Sequence, residues 1–167
     1  TEAYPGPYDR ASHAYNFKKT PRNRAEYLRG GHIYIYLVYG MYWQLNISTG
    51  KSGYPECVLI RALEPVIPIS GNPNVKIPMS NQIPNPKSKN LTNGPGKLCR
   101  WRKLDKSFYG EDVTQSRRIW LQDRGIKVKK SQITSGPRIG IDYAGPKWAK
   151  KPWRFHIKNN SYVSHSR

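Results

Sequence analysis

Between His32 and Ser48 the chain reads HIYIYLVYGMYWQLNIS, a run of β-branched, aromatic and aliphatic residues interrupted once, by Gly40. Such a run reads as extended chain. A second stretch of the same character follows at residues 56–64, and the turn-forming Thr49-Gly-Lys-Ser-Gly53 between the two predicts a β-hairpin. Alternate residues on a strand share a face, so Tyr34 and Tyr36 go with Val38, and Tyr39 lies on the other face unless the strand bends. Gly40 permits a bend or bulge that puts Tyr39 outward at a tip, while Tyr34 and Tyr42 are expected in an aromatic core.

The remaining stretches complete an α+β pattern. Residues 1–30 are polar, with a turn at Pro5-Gly6-Pro7, a basic segment from Lys18 to Arg24 and a short helix expected at residues 25–28. Residues 66–92 are rich in Pro and Asn and predict a long surface loop. Beyond Lys97, helices are expected at 97–103 and 113–123 and strands near 137–142 and 152–158. The order fits one domain, a curved antiparallel sheet with flanking helices, and 167 residues suit a single core.

Charge narrows the partner. With 29 Lys+Arg against 10 Asp+Glu the formal net charge is +19, a field that attracts polyanions. No apolar run approaches the roughly 18 residues of a spanning helix, so nucleic acid is favoured over a membrane. Cys57 and Cys99 stand far apart and the histidines are scattered, which gives no metal-ligand spacing and predicts reduced, partly buried thiols. Gly50-Lys51-Ser52 lacks the P-loop glycine five positions earlier, where Leu45 stands. Charge alone does not separate an enzyme from a structural nucleic-acid protein, but exposed aromatics beside cations stack on bases and fill the gap left by an extruded nucleotide.

Motifs along most of the chain carry a family resemblance. Thr1-Glu-Ala-Tyr4, Pro7, His13, Thr20-Pro-Arg-Asn-Arg24, the run from Tyr34 to Ser48, Val58-Leu-Ile-Arg-Ala-Leu-Glu-Pro65, Asn93-Gly-Pro-Gly-Lys-Leu98 and Arg138-Ile-Gly-Ile141 stand in the family's order. The sequence resembles the alkyladenine (3-methyladenine) DNA glycosylases. The resemblance implies a monofunctional enzyme, without metal or cofactor, that flips alkylated or deaminated purines (3-methyladenine, 7-methylguanine, hypoxanthine, ethenoadenine) out of duplex DNA and hydrolyses the N-glycosidic bond.

Hydrolysis at a sugar C1′ passes through an oxocarbenium-like state and needs a carboxylate to activate water. Among the acids, Asp9, Glu26, Asp105, Glu111, Asp112 and Asp123 lie in polar stretches and read as solvated surface groups. Arg61 sits inside the apolar Cys57–Leu63, where an unpaired charge is costly, and Glu64 beside it would point to another face. By resemblance Glu2 is the general base and the partner of Arg61, with the backbone of Ile139 helping to hold the water. Tyr4 and Tyr36 stack on either side of the base, His13 donates to a purine edge, and Asn46 disfavours the exocyclic amine of guanine.

Tyr39 is the intercalating wedge with Met41 beside it, and Arg22, Arg24 and Lys97 contact phosphate, whereas Lys127, Lys129 and Lys130 supply only a diffuse field. The implied partner is duplex DNA carrying damaged purines, bound by a monomer wherever the cell keeps its DNA, in a bacterial nucleoid or a nucleus. Family members carry lead-in strands before Thr-Glu-Ala-Tyr, so an edge of the sheet and the support for Glu2 are expected to be missing. A relative that only binds nucleic acid is the alternative these residues leave open.

Overall fold

The computed structural model describes residues 1–65 and 91–164. An antiparallel sheet of β1 (Glu2–Tyr4), β2 (Ile33–Val38), β3 (Tyr42–Ser48), β4 (Cys57–Leu59), β5 (Ile133–Gly136) and β6 (Arg154–Ile157) runs in the spatial order β2-β3-β4-β1-β6-β5. Two short helices, α1 (Pro95–Trp101) and α2 (Pro146–Ala149), and several 3₁₀ turns flank it. The expected α+β architecture is what the chain adopts.

The tyrosine run is not one strand. β2 and β3 pair from Ile33↔Ile47 to Val38↔Tyr42, and the chain reverses between them at Tyr39-Gly40-Met41. Tyr39 (φ 51°) and Gly40 (φ 68°) are both left-handed, and the Met41 N–H donates to the Val38 carbonyl at 3.1 Å. Two left-handed central residues give a turn whose twist matches that of the flanking strands. The glycine that would permit a bulge thus permits a full reversal. The link over residues 49–56 then brings β4 onto the far side of β3.

Period-two alternation divides the hairpin cleanly. Ile33 and Ile35 of β2 with Leu45 and Ile47 of β3 pack on Cys99 of α1, Leu104 and Val113, forming the main core. Each such aliphatic side chain contributes about 2 kcal/mol by leaving water. Tyr34, Tyr36, Gln44 and Asn46 point the other way and line a cleft. Tyr42, expected in the core, is 39% exposed because its position on β3 gives it the face of Gln44 and Asn46 rather than that of Leu45 and Ile47, with its ring against Gly96 of α1. A Cβ on Gly96 would come within 3.0 Å of the Tyr42 ring, so the glycine sets how closely helix and hairpin approach.

Elsewhere the expected elements shift or vanish. Residues 113–123 form no helix: Asp112 Oδ1 accepts the Thr114 N–H, and Ser116 Oγ accepts those of Arg118 and Ile119. Short polar side chains take the amides a helix would use. The strand expected at 137–142 is β5, four residues earlier, since Pro137 has no N–H for the ladder. α1 and β6 lie close to their expected places, the helix at 25–28 is a 3₁₀ turn at Arg24–Tyr27, and the expected loop at 66–92 falls mostly outside the described residues.

β1 is central rather than frayed. Glu2 pairs with Leu59 of β4 and Arg154 of β6, and the Ala3 N–H donates to the Trp153 carbonyl at 2.8 Å. The expected lack of support for Glu2 is therefore overturned: β4 and β6 hold it from both sides.

Candidate active site

The second face of the hairpin, β1, β4 and the segment after β5 enclose a cleft of about 420 Å³. Into it come Tyr4, His13, Arg22, Tyr36, Tyr39, Asn46, Arg61 and Ile139, eight of the residues singled out from the sequence. They derive from six separate stretches of chain. Met41, Arg24 and Lys97 lie outside it; Met41 is exposed on the hairpin tip and Lys97 donates to Asn93 Oδ1 at 3.0 Å.

Just behind the lining residues Tyr4, Arg61 and Ile139 is Glu2, whose side chain is 0% exposed. Its Oε1 accepts the Ile139 N–H at 2.8 Å and lies 3.2 Å from Arg61 Nη1, while Oε2 accepts the Tyr4 hydroxyl at 3.0 Å. A buried carboxylate is costly unless it is paired and hydrogen-bonded, and here both oxygens are. Three donors from three parts of the chain fix its orientation. Glu64 takes no part: its carboxylate accepts from Asn160. Burial, and next the neighbouring Glu2 charge, push the Tyr4 phenol far above its ordinary pKa, so it remains a donor.

The walls are aromatic. Tyr34 and Tyr36 lie 5.1 Å apart between centroids, and His13 stands edge-on to Tyr36 at 4.7 Å. His13 Nδ1 is 2.6 Å from the Tyr34 hydroxyl. Burial first, then the Arg22 charge, lower the His13 pKa to about 4, so the ring is neutral near pH 7. Burial holds the Tyr34 phenol in its protonated form. That buried O–H has no other acceptor among the described residues, so it donates to Nδ1 and the histidine proton sits on Nε2. A fixed donor results on a side chain that lines the cleft.

Asn46 is almost fully buried and donates both amide hydrogens to backbone, to Tyr34 O at 3.1 Å and Gln44 O at 3.2 Å. Its Oδ1 is consequently held in one direction. Behind it, the Cys57 thiol donates to Glu26 Oε1 at 3.4 Å. Arg22 does not simply face solvent: its guanidinium lies 4.9 Å from the Tyr36 ring centroid and donates to the Leu37 carbonyl at 3.1 Å. Tyr39, at the tip of the hairpin, is 86% exposed.

Several buried or cleft-lining side chains escaped the reading of the sequence. Asp9 and Glu26, taken as solvated, are buried, as is Arg138. Arg138 clamps Asp9 with both terminal nitrogens, and burial raises Glu26 to about 7. Polar neighbours in the sequence hid both acids because the turns that carry them fold inward. Tyr143 also lines the cleft and donates to the Ala11 carbonyl at 2.9 Å. Among the described residues no cluster of His, Cys, Asp and Glu could hold a metal, and no helix is long and apolar enough to cross a membrane.

A ring-lined slot ending in a fixed carboxylate, on a chain with a strong positive field, is the equipment of a DNA repair glycosylase. The comparisons place it more narrowly. A family model described as methylpurine-DNA glycosylase matches residues 1–161. The DNA-3-methyladenine glycosylase of Homo sapiens is 36% identical over 166 residues, which cover 98% of this chain and 55% of the human protein. A protein of Natranaerobius thermophilus named for the same activity is 41% identical over 164 residues, 98% of this chain and 79% of its own length. One from Methanocella arvoryzae, similarly named, is 45% identical over 164 residues, with 98% and 76% covered. The chain belongs to the methylpurine-DNA glycosylase family, and it spans about half the length of its mammalian relatives.

Proposed function

We propose that this chain removes alkylated or deaminated purines from duplex DNA by flipping the nucleotide into the cleft and hydrolysing its N-glycosidic bond. The observation that carries the reading is Glu2, a fully buried carboxylate oriented at the foot of an aromatic slot by Arg61, Ile139 and Tyr4. A water beside it attacks C1′; its proton passes to Glu2, and the bond pair leaves with the base nitrogen. Arg61 keeps the carboxylate pointed, and developing positive charge on the sugar meets a group that needs no reorganisation.

In this reading Tyr4 and Tyr36 sandwich the base, His13 Nε2–H donates to its edge, and the constrained Asn46 excludes the guanine amine. Tyr39 with Met41 fills the gap in the duplex, Arg22, Arg24 and Lys97 meet phosphate, and one protomer supplies every group. Single-turnover base release from a duplex with one hypoxanthine or ethenoadenine tests it. Glu2→Gln keeps an acceptor for Arg61 and Ile139 but cannot take a proton. We expect base release to fall by at least about a thousandfold, of the order lost when a catalytic base goes, with lesion binding nearly intact. Release by this variant near the parent rate would refute the assignment.

A further inference from the structure

Outside the base cleft, three turns bring three rings together at the surface. Tyr8 belongs to the 3₁₀ turn Gly6–Tyr8, Phe17 closes the turn Tyr15–Phe17, and Tyr54 lies on the link between β3 and β4. The Phe17 ring stands edge-on to both others, its centroid 6.2 Å from that of Tyr8 and 6.1 Å from that of Tyr54. Packing alone does not account for the arrangement. Phe17 is left 50% exposed and Tyr8 68% exposed, and Asn16 (φ 54°) and Phe17 (φ 57°) are both left-handed. Asparagine tolerates that backbone, whereas a bulky ring holds it at a cost, typically at functional positions.

Cations surround the rings. Residues 10–24 hold five Lys and Arg and no acid but share one face of the chain with Phe17, and Arg10, Lys18 and Lys19 are exposed. Two residues past Phe17 and one before Tyr54, Lys19 and Gly53 line a hollow of about 500 Å³ together with Arg24, Tyr27 and Tyr109. Among the described residues no carboxylate pairs with Lys19 or Arg24, and the buried Tyr27 hydroxyl has no hydrogen-bond partner. Glu26, in the same turn as Arg24, is engaged by the Cys57 thiol. A buried polar group left unsatisfied asks for a partner from outside. His13 lines the base cleft, and the four residues from it to Phe17 span at most about 14 Å, so the rings stand close to that cleft.

In a duplex the base faces are stacked on one another, but an unpaired strand offers each face to a ring and each phosphate to a cation. We propose that Tyr8, Phe17 and the hollow at Lys19 form a second nucleic-acid site, which holds an unpaired stretch of DNA with its bases on the rings and its phosphates at Lys18, Lys19 and Arg24. This site goes beyond the reading of the base cleft and stands without it.

The test uses the full chain and fluorescence anisotropy at one salt concentration. Two strands of about twelve nucleotides are compared, one of thymidines and one of abasic tetrahydrofuran units, a length within the range one such site covers. Their backbone charge is the same, and neither carries a purine. We expect the thymidine strand to bind at least about tenfold more tightly, the scale of a stacked base. Phe17→Gly should remove most of that preference although glycine relieves the left-handed backbone, Phe17→Trp should keep it, and Tyr8→Ala should reduce it. Lys19→Gln should lower the salt slope for the thymidine strand by about 0.7, the share of one phosphate on a single strand.

Equal binding of the two strands by the parent overturns the proposal, since charge alone would then hold DNA, and this arm does not depend on any variant folding. A preference that survives unchanged in folded Phe17→Gly and Tyr8→Ala proteins also overturns it, because the bases would be stacking elsewhere. So does a loss in Phe17→Gly that is as large for an undamaged duplex as for the thymidine strand. Failure of the proposed glycosylase chemistry would leave all three outcomes as they are.

Discussion

Glu26 occupies the 3₁₀ turn Arg24–Tyr27, buried, with Oε1 on the Cys57 thiol and no hydrogen bond to Oε2 among the described residues. Tyr34 and Tyr36 from β2, Tyr27 from its own turn, Tyr109 and Cys57 surround it, and among the described residues no cation pairs with it. Burial raises its pKa from 4.5 to about 7, so the folded state holds the proton more tightly than the unfolded chain. The sign follows: the fold bears no penalty from Glu26 below about pH 4.5, and loses stability as pH rises through 7. Glu26→Gln should therefore be close to the parent in urea unfolding at pH 5 and more stable than it at pH 8, by up to about 3 kcal/mol. A gap that stays constant between the two pH values would show that Glu26 is ionised throughout. His13 works in the opposite sense, since its depressed pKa favours the fold above about pH 6.5 and withdraws that contribution as pH falls toward 4.

At the scale of elements, the β2–β3 hairpin performs two tasks with one alternation: aliphatics to the core, phenols and amides to the cleft. Its tip holds Tyr39 in a left-handed conformation that costs a bulky residue of order 1 kcal/mol, a strain typical of functional positions. Tyr39→Ser should weaken binding to a lesion duplex by about tenfold or more while undamaged duplex binding changes little, as fluorescence anisotropy would report; equal losses on both would exclude the wedge role. Most of the sheet was legible because period-two patterning and turn residues mark it. The reversal at Gly40 was not, since a bulge and a turn ask for the same residue. Arg61 announced a partner by sitting in an apolar stretch of sequence. Asp9, Glu26 and Arg138 gave no such signal, because their burial comes from pairings up to 129 residues apart, and local composition carries no trace of those.

For the whole molecule the positive field governs encounter with DNA. A net charge of +19 on 167 residues makes association strongly salt-dependent, and most of it belongs to exposed side chains such as Lys127, Lys129 and Lys130. Arg24→Gln and Lys97→Gln should each lower the slope of log affinity against log salt by about 0.9, and weaken lesion and undamaged duplexes alike. Slopes unchanged from the parent would remove these two from the phosphate-contacting set. The sheet order has a bearing on synthesis as well. Glu2 emerges from the ribosome near the start of the described chain, yet Ile139 and the flanking Arg154 of β6 come roughly 140 and 150 residues later. Early strands must wait, unzipped on one side, for the last one. A nascent chain thus carries Glu2 for most of its synthesis without the Ile139 donor or the β6 neighbour, and on the proposed reading base removal waits until translation has delivered both.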